Sequence, residues 1–525
     1  MAIPNLLAKR ADTSSDAPFL YFRDRTVTFG EMEEGSDRAA AFLREMGVER
    51  GDKVCLLLTN RPEFIEIWFG LAKLGAVMVP LSETLKADGF TYIINHSEST
   101  VMVVEREFHP VFQAIEQSLE KIGKKIWVGS ESDTPSDFIR YPDATVENTV
   151  TKSRYSKVVG SDVMAIIYTS TGAGLPRGTM VPHHNYINTG KIWADAIIQV
   201  SSSEIFFTNL PLYQINAQVT STMGALSSGR PLVLGERFVP SRFVDEIRRC
   251  GATVFNLVGW MFAALMKEPA QSGDAQNSAR IVFGAATPKE LWKGFEERFG
   301  VTILEGYGRA ESGGVCLINS LKDKRIGSIG KPMPYCDVKI FDENDRELPA
   351  GMPGEIVVRP VMPDSIFAGY YNNPDLTRET MRNGWFHSGD CGYVDEENYF
   401  YFLDRTRDCI RTDGKIIPSP EIENIINSHP GVLESAVVGV PCGPGQEDIR
   451  AFVVPRDSVL ISAEEILAWC NGRMANYMRP RFVSFLGELP KTMTQRIRKD
   501  RLRTLPLGGC WDREKTHDLG TFNVT

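Results

Sequence analysis

The stretch Trp385-Phe386-His387-Ser388-Gly389-Asp390-Cys391-Gly392-Tyr393 is followed by Leu403-Asp404-Arg405-Thr406-Arg407-Asp408, Gly414 and then Pro418-Ser419-Pro420-Glu421-Ile422-Glu423. With Gly389 and Gly392 around it, Asp390 is expected in a tight turn, where its carboxylate can accept two hydrogen bonds from a ribose diol. Arg405 falls where a run of β-type segments stops and a new unit begins. Such junctions absorb large backbone rotations, so a hinge is expected there.

Upstream of this junction the texture is β. Val338-Lys339-Ile340-Phe341, Gly354 to Arg359 and Tyr399 to Leu403 read as strands separated by turn residues. Further upstream the pattern alternates. Glu31 to Met46 is an amphipathic helix closed by Gly47, Lys53 to Leu58 a buried strand, Pro62 to Leu74 a helix, and Ala76 to Pro80 a strand. Strand, helix, strand at this spacing is a parallel-sheet unit. It recurs with strands at Thr100 to Val104, Lys125 to Val128, Pro231 to Leu234, Ala252 to Val258, Arg280 to Phe283 and Val301 to Leu304. After Asp404 come strands near Ala436 to Val440 and Arg450 to Val454, with helices near Pro420 to Ser428 and Ala463 to Met474. The predicted fold class is α/β: a large multi-subdomain N-terminal region with parallel-rich sheets and a β subdomain over residues 1–404, a small mobile α+β C-terminal domain over 405–508, and a polar, loose tail over 509–525.

The 525 residues are 42% hydrophobic and 24% charged, ample for large cores, and the formal net charge of -9 points to no nucleic-acid partner. The basic cluster Arg496, Arg498, Lys499, Arg501 and Arg503 is short and lacks interleaved aromatics. It reads as a solvated terminal helix or a face for a polyphosphate, not as a nucleic-acid site. Nine cysteines without CxxC or Cys/His metal spacing fit reduced thiols, and Cys391 and Cys409 read as small, partly buried residues. No signal-peptide pattern is present, and the most apolar stretch, Phe64 to Leu81, is broken by Glu66 and Lys73. It falls short of the about 20 apolar residues of a membrane span. A cytoplasmic protein without an integral membrane segment is expected.

Two further blocks follow strands. Tyr168-Thr169-Ser170-Thr171-Gly172-Ala173-Gly174-Leu175-Pro176-Arg177-Gly178 offers hydroxyls, backbone N–H groups and a cation that can wrap phosphate oxygens, although it lacks the Walker spacing. The alternative is an ordinary Gly-rich surface turn. Leu304-Glu305-Gly306-Tyr307-Gly308-Arg309-Ala310-Glu311 offers a carboxylate that can hold Mg²⁺ and a ring that can stack on a base, or else a turn with an exposed Glu.

Together these blocks resemble, in order and spacing, the adenylate-forming superfamily of acyl-CoA synthetases, peptide-synthetase adenylation domains and luciferases. The resemblance runs from about Phe29 to Arg503 and includes Asn60-Arg61-Pro62-Glu63-Phe64, Gly354-Glu355-Ile356, Gly369-Tyr370-Tyr371-Asn372-Asn373-Pro374, Ala436 to Pro441 and Leu489-Pro490-Lys491-Thr492. Trp68 to Ala76 looks closest to carnitine/crotonobetaine-CoA ligases. The resemblance implies ATP-dependent formation of acyl-AMP and then acyl-CoA, with AMP and pyrophosphate as products, on a carnitine-like or other small organic acid. It implies ATP, Mg²⁺ and coenzyme A. Thr169, Ser170, Thr171, Gly172, Gly174 and Arg177 would cradle phosphates, Glu311 would hold Mg²⁺, and Tyr307 beside Gly308 would pack on adenine. Gly284 and Ala285 would line the adenine and acyl pocket, Asp390 and Arg405 would hold the ribose, Arg407 would be the hinge, and Gly414 would face the pantetheine. The partners are then the acid, ATP and CoA, with a homodimer left open.

The sequence departs from the family pattern at named places. The phosphate loop usually reads Thr-Ser-Gly-Thr-Thr-Gly, and its usual Lys is Arg177 here. Ala310 replaces a Thr before Glu311, and Tyr213-Gln214 stands where an aromatic-His pair is usual. Arg496 occupies the place of the catalytic Lys, with Lys499 as an alternative cation. Arg keeps the charge but not the shape of an ammonium, so slower adenylation is expected, not its loss. A nucleotide- or acyl-CoA-binding relative with weak or no ligase activity is the second reading, and a carrier-protein acceptor is a third. Tyr213, Gln214 and Trp260 are candidate substrate-pocket residues. Trp260 is read as a core tryptophan or as one wall of a box for a quaternary ammonium.

Overall fold

The computed structural model describes residues 1–142, 158–169, 175–412, 415–443, 446–457, 459–491 and 497–515. Among these, two large sheets form the N-terminal region. In the first, strands Val101–Glu105, Lys53–Leu57, Val77–Pro80 and Val163–Thr169 run parallel, and Arg177–Pro182 closes the edge as an antiparallel hairpin with Val163–Thr169. In the second, Thr302–Tyr307, Ile281–Ala285, Val254–Val258, Phe206–Thr208, Leu232–Leu234 and Pro18–Phe22 run parallel in that order. The short apolar runs seen in the sequence are these strands, buried on both faces as parallel strands are.

The helix Pro62–Leu74 is buried on nearly every side. Its internal charges are compensated. The Lys73 ammonium lies 3.0 Å from Glu33 Oε2 and 2.6 Å from Asp37 Oδ1 on the helix Phe29–Glu45. Glu66 lies 3.5 Å from Arg25 and accepts from Tyr141. The charges that interrupt the apolar stretch are therefore pins between elements of one core. No helix among the described residues is long and apolar enough to cross a membrane.

An antiparallel sheet of Cys336–Phe341, Gly354–Pro360, Trp385–Val394, Met381–Arg382 and Phe400–Arg405 covers the ends of the second sheet. Asp390 lies inside the strand Trp385–Val394, opposite Arg405, and not in a tight turn. The flanking glycines serve a bulged strand. Its register slips on both sides, and Gly389 takes φ +69°. The C-terminal unit pairs Val432–Gly443, Gln446–Pro455 and Phe482–Phe485, backed by the helices Ser419–Asn427 and Ala463–Cys470. The expected loose tail is corrected at its start. Trp511–Asp512 adds a strand to Phe482–Phe485, Trp511 Nε1 donates to Glu464 at 2.6 Å, and Arg481 lies 3.3 Å from Asp512. Residues 516–525 lie outside the described residues.

Trp68 is fully buried, its ring 5.3 Å from that of Tyr186. Trp68→Ala is expected to destabilise the N-terminal region by about 3–5 kcal/mol, read as a lower urea midpoint followed by tryptophan fluorescence and far-UV circular dichroism.

Candidate active site

Parallel sheets place ligands beyond the carboxyl ends of their strands, and the predicted residues gather there. Thr169 ends Val163–Thr169 and faces Arg177 across the hairpin, so both mouths of the intervening loop lie side by side. Thr169 Oγ1 is buried and has no hydrogen-bond partner among the described residues. The Arg177 guanidinium sits 5.8 Å over the Tyr370 ring. Ser170, Thr171, Gly172, Gly174, Gly414 and Arg496 lie outside the described residues.

Glu311 is 1% exposed. Its Oε1 accepts from the Tyr370 hydroxyl at 3.0 Å, while its Oε2 is buried without a hydrogen-bond donor. Asp390 is 2% exposed. Its Oδ2 accepts from the Tyr307 hydroxyl at 2.5 Å, and its Oδ1 lies 2.7 Å from Arg405 Nη1 but outside hydrogen-bond geometry. Ser388 fixes this strand. Its hydroxyl donates to the Ile356 carbonyl and accepts from the Asp390 N–H. The Tyr307 ring stacks at 6.2 Å on Phe402, and burial with the adjacent Asp390 carboxylate pushes its phenol well above the usual range.

Asp390 Oδ1 is thus paired with Arg405, while Glu311 keeps one buried oxygen without a hydrogen-bond donor. A buried acceptor left so is costly unless a ligand completes it. Glu311 Oε2 is a hard oxygen suited to Mg²⁺. Among the described residues no group of three or more His, Cys, Asp or Glu could hold a metal. A single carboxylate suits an ion that arrives with phosphate oxygens of its own.

Three residues that the sequence reading passed over belong to the site. Arg309 extends between the two carboxylates, Tyr370 holds Glu311, and Glu305 supports the neighbouring turn. Glu305 Oε1 accepts from the Ala286 N–H at 2.7 Å, and Oε2 accepts from the Thr287 N–H at 3.1 Å and from the Thr287 hydroxyl. This holds Ala286 at φ +63°. Gly284 makes room for it, since a Cβ there would lie 2.7 Å from Glu305 Oε2 and 2.2 Å from Thr287 Oγ1. Ala285 pairs with Gly306 in the adjacent strand. A Cβ on Gly308 would come within 2.3 Å of the Gly314 carbonyl oxygen, so the segment leading to Glu311 doubles back tightly. The signal for all three was proximity to the quoted blocks, but a single chain gives no sign that an Arg or Glu is buried.

At the junction, Asp404 Oδ2 accepts from the Ser419 N–H at 3.1 Å and from its hydroxyl. Arg407 is half exposed, and its carbonyl accepts from Arg503 at 2.7 Å. Lys499, expected as an alternative catalytic cation, is tied down elsewhere. Its ammonium lies 2.7 Å from Glu423 Oε1 and donates to the Ser419 hydroxyl. Cys391 and Cys409 are buried small residues.

Tyr213 and Gln214 are half-buried in the segment after Pro211-Leu212. Trp260 is not a core residue. It is 63% exposed and meets Phe238 edge-on at 5.2 Å. It follows Gly259, whose backbone lies against the Ala286 turn: a Cβ on Gly259 would come within 2.5 Å of the Ala286 carbonyl oxygen.

Residues 7–371 match the family described as AMP-binding enzyme, and residues 421–496 match the AMP-binding enzyme C-terminal domain. The chain is 32% identical over 490 residues to a crotonobetaine/carnitine–CoA ligase of Proteus mirabilis, covering 91% of this chain and 93% of that one. Among solved structures, an anthranilate CoA ligase in complex with anthranoyl-AMP superposes with a TM-score of 0.82 at 26% identity, over 96% of this chain and 97% of that one. A benzoate CoA ligase from Burkholderia xenovorans does so with 0.78 at 25% identity, over 96% and 100%. The chain belongs to the AMP-binding enzyme family. Within that family it is an ATP-dependent, AMP-forming acyl-CoA ligase.

Burial pushes the Glu305 carboxyl up from its ordinary 4.5 to about 7, against the hydrogen bonds from Thr287 and Ala286. The folded protein therefore holds this proton more tightly than the unfolded chain. Its contribution to stability is greatest below about 4.5, falls as pH rises towards about 7, and is level above that. Thermal melts between pH 5 and 8 are expected to show this fall in the native protein and a smaller one in Glu305→Gln; equal slopes would refute the assignment.

Proposed function

We propose that this chain activates a small organic acid of the carnitine type, with Asp390 and Arg405 on the ribose and Glu311 on the metal. The observation that carries the proposal is the buried carboxylate pair: Asp390 with its Oδ1 2.7 Å from Arg405, and Glu311 with its Oε2 left without a hydrogen-bond donor. An acid carboxylate oxygen attacks the α-phosphorus of ATP, the bond from that phosphorus to the bridging oxygen breaks, and pyrophosphate leaves. The CoA sulfur then attacks the acyl carbon, AMP leaves, and the thiol proton passes to solvent. Glu311 Oε2 would hold Mg²⁺, whose charge would offset that of the phosphate oxygens. The chain's own part is to bind the ribose, to offer Arg177 at the loop mouth, and to fix the turn at Ala286 through Glu305. Displacement at phosphorus depends mostly on such positioning and charge. Arg496 is the proposed cation from the C-terminal domain, which turns about Arg407 between the two half-reactions.

The acid class rests on Trp260. An exposed ring paired edge-on with Phe238 suits a quaternary ammonium, and the curated relatives carry carnitine and crotonobetaine in their names. The cytoplasm is the proposed location, in keeping with nine free cysteines.

Pyrophosphate release with carnitine, crotonobetaine, short fatty acids and benzoates tests this. The betaine acids are expected to turn over, with Trp260→Ala raising their KM about tenfold and leaving uncharged acids unaffected. Turnover of aryl or fatty acids with inert betaines would overturn the acid class. Glu311→Gln is expected to lower kcat by about 10²–10³ with every acid that turns over.

A further inference from the structure

Arg309 lies between the two carboxylates on which the ribose and metal subsites are proposed to depend. Its Nη1 is 3.6 Å from Asp390 Oδ2, and its Nε is 3.7 Å from Glu311 Oε2. The side chain is 20% exposed, and Nη1 donates to the Ser388 carbonyl at 2.6 Å. That carbonyl is two residues before Asp390 on the same strand, so the guanidinium grips the strand that carries the ribose carboxylate.

We propose that Arg309 is a positioning residue that joins the ribose and metal subsites: one largely buried guanidinium, anchored on Ser388, holds the Asp390 and Glu311 side chains in register before any nucleotide arrives. This rests on the roles proposed above for Asp390 and Glu311. A buried carboxylate is costly unless a cation or hydrogen-bond donors compensate it. Arg405 faces only Asp390, and Tyr370 gives Glu311 a neutral donor. Arg309 is the cation common to both. Desolvation works against its charge, but Glu311 and Asp390 outweigh this and hold its pKa above the ordinary value.

The distances matter to the argument. At 3.6–3.7 Å the guanidinium supplies field to both carboxylates without capping Glu311 Oε2, which keeps no hydrogen-bond donor. Arg carries five N–H donors in a planar fork, and the bond to Ser388 uses a donor on Nη1 only. The chain thus carries its own charge compensation at the position next to Ala310, where the resemblance leads one to expect a hydroxyl.

The test is equilibrium binding of AMP without metal, by calorimetry at neutral pH. Arg309→Met is expected to weaken AMP binding by about tenfold or more, the loss of a charge-assisted contact. Arg309→Lys is expected to recover part of the affinity. Arg309→Gln, which can still donate to Ser388 but lacks the charge, carries the test if Arg309→Met does not fold, and is expected to behave like it. Native affinity in the uncharged variants, with Asp390→Ala defective, would overturn this inference alone. Native affinity in Asp390→Ala would overturn the ribose assignment and this inference with it.

Discussion

Two buried carboxylates are the constraint on which the site depends. Asp390 comes from the antiparallel sheet and Glu311 from the turn after the strand Thr302–Tyr307, and each is almost fully removed from solvent. A buried carboxylate is costly unless donors or a cation compensate it. The surrounding structure reads as the answer to that cost. Tyr307 and Tyr370 donate from the two sides, Arg405 and Arg309 supply charge, and Ser388 fixes the strand. The bulge around Gly389 lets the strand Trp385–Val394 aim Asp390 at the ends of the parallel strands while continuing to pair with Phe400–Arg405.

The parallel strands were legible because they are short apolar runs bounded by turn residues. Lys53–Leu57 and Ile281–Ala285 fall within a residue or two of the runs that predict them. Asp390 was legible as a special carboxylate but not as a strand residue, because glycines mark bulges and turns alike. The tail was misread for a related reason. A two-residue strand such as Trp511–Asp512 has no periodicity to show, and it exists through pairing with Phe482–Phe485 and the contact to Glu464. Trp260 failed in the other direction. A tryptophan within an apolar run invites a core assignment, yet at the start of the helix Gly259–Lys267 its ring is 63% exposed and meets Phe238 edge-on.

Within the site, sequence reasoning singled out Asp390, Glu311 and Tyr307 and missed the residues that contact and hold them. Glu305 and Arg309 lie within the quoted block Leu304 to Glu311 but look like ordinary charged residues, and those are usually at the surface. Their roles need two chain segments to meet. Glu305 works only because the Ala286 turn comes against it, and Arg309 only because the strand with Ser388 and Asp390 crosses nearby. Tyr370 matters through a contact to Glu311 from another segment.

The junction at Asp404 shows what a turning C-terminal domain has to break and what it can carry along. Lys499, Glu423 and Ser419 all belong to the C-terminal unit, so their ion pair and hydrogen bond can travel with it unchanged. Among the described residues, bonds that span the pivot include those from Ser419 to Asp404, from Arg503 to the Arg407 carbonyl, and from the Asp408 and Cys409 N–H groups to the Arg405 carbonyl. The rotation about Arg407 proposed above would exchange polar contacts such as these, while the apolar core of the C-terminal unit, around Ile422, Val437 and Ile466, is closed on itself. Apolar burial is the larger stabilising term in such a unit. Confining the changes to polar contacts would allow such a rotation at small cost. Lys499 is bound within that unit, 2.7 Å from Glu423 Oε1, where it offsets part of the burial that raises the Glu423 carboxyl.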